Sequence, residues 1–98
     1  MASLAHIFFA ELVGTFVFLS VIFGVVTRKE DHVWIKIGLT LAVAILFVGP
    51  ISGGKLNPAV SFMFFMAKQS HRDQLIYEIS AQLLGALMAL GAYYVFLR

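Results

Sequence analysis

The stretch Gly49-Pro50-Ile51-Ser52-Gly53-Gly54-Lys55-Leu56-Asn57-Pro58-Ala59 is a helix-breaking, polar segment between two strongly apolar ones. It holds both prolines of the chain and three of its eight glycines, so no ordinary helix is expected to pass through it. Irregular backbone at membrane depth survives only where protein buries it or where it lines a water-filled cavity. The stretch is therefore a candidate for lining a pathway.

Asn57 and Pro58 predict the start of a new helix within this stretch. An Asn side chain can cap a helix N-terminus, and Pro suits the first helical position because its missing N–H is not needed there. The following residues stay apolar up to Lys68. Ten helical residues span roughly 15 Å, about half of a bilayer core. We predict a re-entrant loop over 49–57 and a half-helix over 58–68 whose N-terminus points at the midplane.

The composition places the chain in the membrane class. Of its 98 residues, 61% are hydrophobic and 12% are charged, and the mean hydropathy is +0.96. Cysteine is absent, and His6, His32 and His71 are too scattered for a metal site. The net charge of +2 comes from scattered basic residues, so no nucleic-acid partner is predicted. No nucleophile and base pair indicates an enzyme, and no cofactor is expected.

Three apolar segments are long enough to cross a bilayer. We predict transmembrane helices over about 4–27, 33–48 and 74–97, joined by polar loops that lie in water. With the half-helix they form one domain, residues 1–98. The predicted fold class is an all-α integral, multi-pass membrane protein with three transmembrane helices and one re-entrant half-helix.

Small residues recur at four-residue spacing in all three predicted spans. Such stripes let helices approach closely in lipid, where packing rather than the exclusion of water drives association. The expectation for each stripe is packing inside the chain. The stripes are Ala10/Gly14, Ser20/Gly24, Gly38/Ala42 and Ala81/Gly85/Ala89.

Several motifs, in their order along the chain, resemble the first half of aquaporins and aquaglyceroporins. Ser52 to Val60 resembles the first signature loop of that family, and Ala10 to Phe16 is similar to its opening helix. The segments 38–43 and 81–86 stand at the family's spacing from the loop. Family members contain two such units in tandem and this chain holds one. The resemblance is to a half-length member, and it implies a passive channel for water or small neutral solutes such as glycerol.

The resemblance also implies which residues line the pore. The Asn57 side chain would donate hydrogen bonds to a passing water or hydroxyl group, and the loop carbonyls would accept them. The alternative for Asn57 is a plain helix cap. The pore residues implied in this way are Gly53, Gly54, Lys55, Leu56, Asn57, Pro58 and Ala59.

By the family's pattern, four positions form a selectivity filter. In a homodimer they fall on Ile37 of one copy and on Ile45, Gly54 and Val60 of the other. The second unit of family members carries Arg at the place of Val60. Without that Arg the ring is apolar, which suits glycerol-like solutes better than strict water selectivity. The alternative is that Ile37 and Ile45 merely pack.

Two polar residues within the predicted spans are candidates for supporting the loop. Glu11 is ionisable at membrane depth, which is costly unless the group is paired. In the family, the matching carboxylate accepts hydrogen bonds from the loop amides, and Gln82 is similar in role. Loop support is therefore expected rather than proton transfer. Two orientations stay open for Lys55: into the pore entrance, or away from it towards water.

The basic residues favour neither orientation in the membrane. Three basic side chains and the N-terminal amine on one side oppose four on the other. A chain without bias can insert both ways, and two opposed copies would rebuild an inverted repeat with its site at the midplane. We predict an antiparallel homodimer in the lipid bilayer, with four dimers as a further assembly. Open alternatives are a truncated product, a half that pairs with a separately encoded second half, and a structural or regulatory protein that does not conduct.

Overall fold

Four helices make up the part of the chain that the structure describes. The computed structural model describes residues 2–98 and contains α1 (Leu4–Thr27), α2 (Val33–Ser52), α3 (Pro58–Met66) and α4 (Arg72–Ala92), with a π-helical turn, Tyr93–Leu97, continuing α4. Within this range there is no β-strand. α1, α2 and the extended α4 are long and apolar enough to cross a membrane, whereas α3 has only 9 residues. The predicted fold class is confirmed.

α1 lies between α2 and α4, and two glycines allow α4 and the loop before α3 to approach it closely. A Cβ atom on Gly85 would lie 2.9 Å from the carbonyl oxygen of Leu12, so α4 touches the backbone of α1. A Cβ atom on Gly14 would lie 2.7 Å from Cδ2 of Leu56, which brings the loop onto α1. Both distances are too short for a real Cβ atom. Close packing in lipid requires small residues at such positions.

The stripe Gly38/Ala42 does not pack inside the chain, and this expectation was wrong. Both residues are exposed, and a Cβ atom on Gly38 would meet no atom within 4 Å. α2 turns Ala44, Val48 and Ser52 towards α1 instead. Among the described helices, α2 packs against α1 alone, and its face with Gly38 and Ala42 points away from the other helices.

α2 passes through Gly49 and Pro50, where the sequence predicted a loop over 49–57. Pro50 lies in the last turn, so its missing N–H removes a single hydrogen bond and the helix continues to Ser52. The residue that ends the helix is Gly53, which has a left-handed φ of 92° and donates its N–H to the Gly49 carbonyl at 2.8 Å. The loop therefore begins at Gly53.

α3 ends two residues earlier than predicted, and α4 begins two residues earlier. α3 ends at Met66, because Lys68 takes a left-handed φ of 62° and the hydrogen bonds around it close a tight turn. α4 begins at Arg72, since the carbonyl of His71 already accepts the N–H of Leu75 at 3.0 Å. Tyr77, near the start of α4, packs against Phe8, near the start of α1, so the turn after α3 lies at the same end of the helices as the start of α1.

Candidate functional site: the loop before α3

Asn57 caps α3, as its position before Pro58 predicted. Its backbone is extended, with φ −158°, and its Oδ1 accepts the N–H of Ala59 at 2.8 Å. Pro58 occupies the first turn, where no N–H is needed. Since the cap uses Oδ1, the Nδ2 amino group is the end of the side chain that takes no part in the cap. Asn57, Pro58 and Ala59 are all exposed.

The Glu11 carboxylate lies at the centre of a buried hydrogen-bond network. Its Oε1 accepts the N–H of Leu56 at 2.8 Å and Nε2 of Gln82 at 2.9 Å. Its Oε2 accepts the N–H of Lys55 at 3.0 Å and the hydroxyl of Ser52 at 2.6 Å. All four partners donate, which suits a carboxylate because it only accepts. One side chain of α1 thus connects the end of α2, the loop and α4.

Gln82 connects α4 to both α1 and α3. Its Nε2 donates to Glu11 and to the hydroxyl of Ser61, each at 2.9 Å. Because the Glu11 carboxylate cannot donate, the orientation of the Gln82 amide is fixed. Ser61 is the one buried residue of α3. The first turn of α3, which starts at the loop, is therefore attached to α4.

Leu56 holds an unusual backbone conformation in the middle of the loop. Its φ is 54°, in the left-handed region that favours glycine. For other residues this conformation costs about 1–3 kcal/mol. The N–H bond to Glu11 offsets part of the cost, and so does the side chain, which is 4% exposed and packs against Gly14. The network and the packing together hold the shape of the loop.

Lys55 forms a buried ion pair that the sequence did not predict. Its Nζ lies 2.6 Å from Oε2 of Glu78, and the two side chains are 10% and 0% exposed. Gln74 donates to the same oxygen at 2.9 Å, and the Phe64 ring lies 5.3 Å from the ammonium. The side chain therefore takes neither of the two orientations left open by the sequence. It turns onto α4.

Sequence reasoning missed four members of these networks: Ser52, Ser61, Gln74 and Glu78. Glu78 precedes Gln82 by one helical turn and shares its face, and that spacing was a usable signal. The two serines gave none, because a hydroxyl inside a helix can equally bond to the backbone of its own helix. In the structure, the Ser52 hydroxyl also accepts the N–H of Gly54 at 3.2 Å, so it links the carboxylate to the loop.

The four predicted filter residues are not brought together by a single copy of the chain. Ile45 and Gly54 are neighbours, since a Cβ atom on Gly54 would lie 3.3 Å from Cγ2 of Ile45. Ile37 lies in the first half of α2, and Val60 lies in the first turn of α3. α2 and α3 do not contact each other. The side of the unit that carries Asn57 is open between them.

The chain matches a known family along its whole length. The model of the family described as "Major intrinsic protein" matches residues 1–98. The lens fiber major intrinsic protein of Lithobates pipiens is 40% identical over 57 residues, which cover 58% of this chain and 22% of that protein. Aquaporin NIP3-1 of Arabidopsis thaliana is 36% identical over 89 residues, or 88% of this chain and 27% of the relative. Aquaglyceroporin-2 of Rhizophagus irregularis is 34% identical over 96 residues, or 89% and 30%.

No solved structure matches the chain. The chain spans less than a third of the length of the three relatives named above. The matched region contains the loop with Asn57 and all three helices that are long enough to cross a membrane. The chain therefore belongs to the major intrinsic protein family and is an integral, multi-pass membrane protein.

Proposed function

We propose that the chain forms a passive channel for water and small neutral solutes, with a pore built by two copies in opposite orientation. The observation that carries this proposal is the open side of the unit. Asn57, Pro58 and Ala59 are exposed at the N-terminus of α3, on a side where α2 and α3 do not meet. Relatives described as an aquaporin and an aquaglyceroporin support a channel for such solutes.

The outward face of α2 is the surface that we assign to the second copy. Only 17% of the α2 span is buried inside the chain, compared with 39% of the α1 span. Gly38 and Ala42 lie on this face, beside Leu39 and Leu46, which are 60% and 70% exposed. Small residues let a partner helix approach closely, and the large ones supply contact area. The near balance of basic residues on the two sides supports insertion both ways.

In this dimer, the N-termini of the two α3 helices face each other at the midplane. Each carries about half a positive charge from the helix macrodipole, which opposes the passage of cations. The Nδ2 group of each Asn57 donates to a passing oxygen, and the loop carbonyls of residues 53–56 accept from its hydrogens. Ile37 of one copy and Ile45, Gly54 and Val60 of the other form an apolar constriction. A neutral solute exchanges its hydration shell for these contacts, and four dimers form the larger assembly.

Flux through liposomes that contain only the purified chain tests the channel. Stopped-flow light scattering measures water and glycerol permeability for the wild type, Asn57→Asp and Val60→Arg. We expect a flux above that of empty liposomes. For Val60→Arg we expect a lower ratio of glycerol permeability to water permeability, because the added guanidinium narrows the constriction and makes it polar. Met66→Arg is the matched control, since it adds the same charge at the far, 62% exposed end of α3. If folded, inserted protein gives no flux, a pore built from copies of this chain alone is refuted. That result favours pairing with a separately encoded second half, or a role without conduction.

Orientation in cells tests the dimer independently of flux. The chain has no cysteine, so one cysteine introduced at Asp31, in the exposed first loop, is the only site for a membrane-impermeant maleimide and leaves the basic residues unchanged. We expect two populations, one labelled in intact cells and one only after permeabilisation. Labelling from one side alone refutes the antiparallel arrangement. Cells are required, because reconstitution into liposomes can itself mix orientations.

A further inference from the structure

The Lys55 ammonium is enclosed by the loop itself, by α3 and by α4. Glu78 and Gln74 approach it from α4, and the Phe64 ring approaches from α3. The backbone N–H of the same residue donates to Glu11 on α1 at 3.0 Å. Lys55 is thus tied to α1 through its main chain and to α4 through its side chain, two residues before Asn57.

The charge of Lys55 is cancelled where it would otherwise add to the charge of α3. The N-terminus of α3 carries about half a positive charge, and a free ammonium beside it would add a full one. Glu78 supplies the opposite charge at 2.6 Å, from a side chain that is 0% exposed. Its other oxygen, Oε1, has no partner within the described residues. No basic side chain other than Lys55 lies within the loop.

We propose that Glu78 is a positioning residue that turns Lys55 onto α4 and thereby keeps the pore entrance beside Asn57 neutral, so that small neutral solutes pass and small anions do not. This inference rests on the proposed channel. Without its counter-charge, a charged ammonium is more stable in water than in this buried site. The flexible lysine stem then extends into the water-filled entrance, where the ammonium and the N-terminus of α3 attract anions together.

A set of three variants separates this role from simple support of the fold. Glu78→Gln keeps the size of the side chain and a hydrogen-bonding carbonyl, but frees the Lys55 charge. Lys55→Met/Glu78→Gln removes both charges, and Lys55→Met alone leaves the carboxylate. In liposomes, the iodide flux is measured with an entrapped halide-sensitive dye, a potassium ionophore balances the charge, and glycerol flux is measured in parallel.

We expect Glu78→Gln to raise iodide flux relative to glycerol flux by about fivefold or more, because one unit of charge near the path is worth about 1 kcal/mol even in water. The double variant should return the ratio to the wild-type value, since the ammonium is gone. Lys55→Met should show no gain in iodide flux. An unchanged ratio in Glu78→Gln overturns the proposal. A raised ratio that persists in the double variant also overturns it, because it would show a leak through a distorted fold.

Amine acylation tests the positioning of Lys55 without any flux. N-hydroxysuccinimide acetate should modify the exposed Lys29 and Lys68 but spare Lys55 in the wild type, and it should modify Lys55 in Glu78→Gln. Equal modification of Lys55 in both proteins overturns the positioning role. If the wild type passes no neutral solute, the proposed function fails and the selectivity role fails with it, while acylation still decides whether Glu78 positions Lys55.

Discussion

A carboxylate forms the main side-chain contacts of two loops, the loop before α3 and the loop between α1 and α2. The carboxylate is buried in the first loop and partly exposed to solvent in the second. Glu11 is 0% exposed and has four donors. The Glu30 side chain is 32% exposed, and it pairs with Lys36 at 2.8 Å and with Arg28 at 3.9 Å. Partners of an exposed carboxylate can turn to water when it is lost, whereas partners of a buried one cannot. The same group is therefore essential to the architecture in one loop and a minor contribution in the other.

The largest expected effect comes from Glu11→Gln, which replaces the buried carboxylate by an amide. The amide keeps one acceptor oxygen but turns an NH₂ group towards partners that also donate. Two donors of the network lose their acceptor, and each unsatisfied buried group costs about 1–3 kcal/mol. We expect the free energy of unfolding in mild detergent to fall by about 3 kcal/mol. Neutral-solute flux should fall with it, because the loop loses its anchor.

Unfolding of Glu11→Gln is followed by circular dichroism during titration with a denaturing detergent. Glu30→Gln serves as the matched control, since it makes the same substitution in the solvent-exposed loop between α1 and α2. Equal losses in the two variants would contradict the comparison, because burial would then make no difference.

Gly85→Ala tests the close approach of α4 to α1 beside the Glu11 network. The added methyl group would lie 2.9 Å from the Leu12 carbonyl oxygen, so α4 must move away from α1. Overpacking of this kind costs about 1–3 kcal/mol. The matched control is Gly91→Ala on the same helix, where a Cβ atom meets nothing within 4 Å. We expect Gly85→Ala to lower Tm and Gly91→Ala to leave it unchanged or raise it, and the reverse order would refute the packing described here.

Glu30→Gln is expected to have the smallest effect, and its effect depends on pH. The hydrogen bond from Lys36, helped by the charges of Lys36 and Arg28, holds the pKa of Glu30 below its usual range. A lowered pKa in the folded state adds stability that is present above the usual pKa of a glutamate and is lost as the pH falls through the lowered value. The Tm of Glu30→Gln should therefore lie slightly below that of the wild type at neutral pH. The two should converge in acid, and a difference that persists there would mean that Glu30 acts through packing.

Local features of the site could be predicted from the sequence, and features that depend on neighbouring helices could not. The cap at Asn57 needs only the next residues of the chain, so its prediction succeeded. The effect of Pro50 depends on its distance from the helix end, which Gly53 sets, and that prediction failed. The outward turn of Gly38 follows from which helix α2 packs against, which no local pattern specifies.

The charged residues also divide into one that could be predicted from local sequence and one that could not. Glu11 could be predicted as a functional residue because it interrupts a long apolar run. The family resemblance implied its contact with the loop amides. Glu78 lies close to the predicted start of its span, where a charge is ordinary, so its burial against Lys55 was not expected. A charge at a helix edge is recognised as buried only when the element that covers it is known. Here that element is the loop, which is distant in sequence.

Glu11 is synthesised long before the groups that bind it. Its four donors follow 41, 44, 45 and 71 residues later along the chain. While the protein is being made, α1 must enter the membrane with a carboxyl group that has no partner, which disfavours stable insertion of that helix alone. Ser52 and the loop relieve this first, and Gln82 does so only when α4 has entered. α1 therefore has its full set of four donors in the bilayer only after α4 has entered.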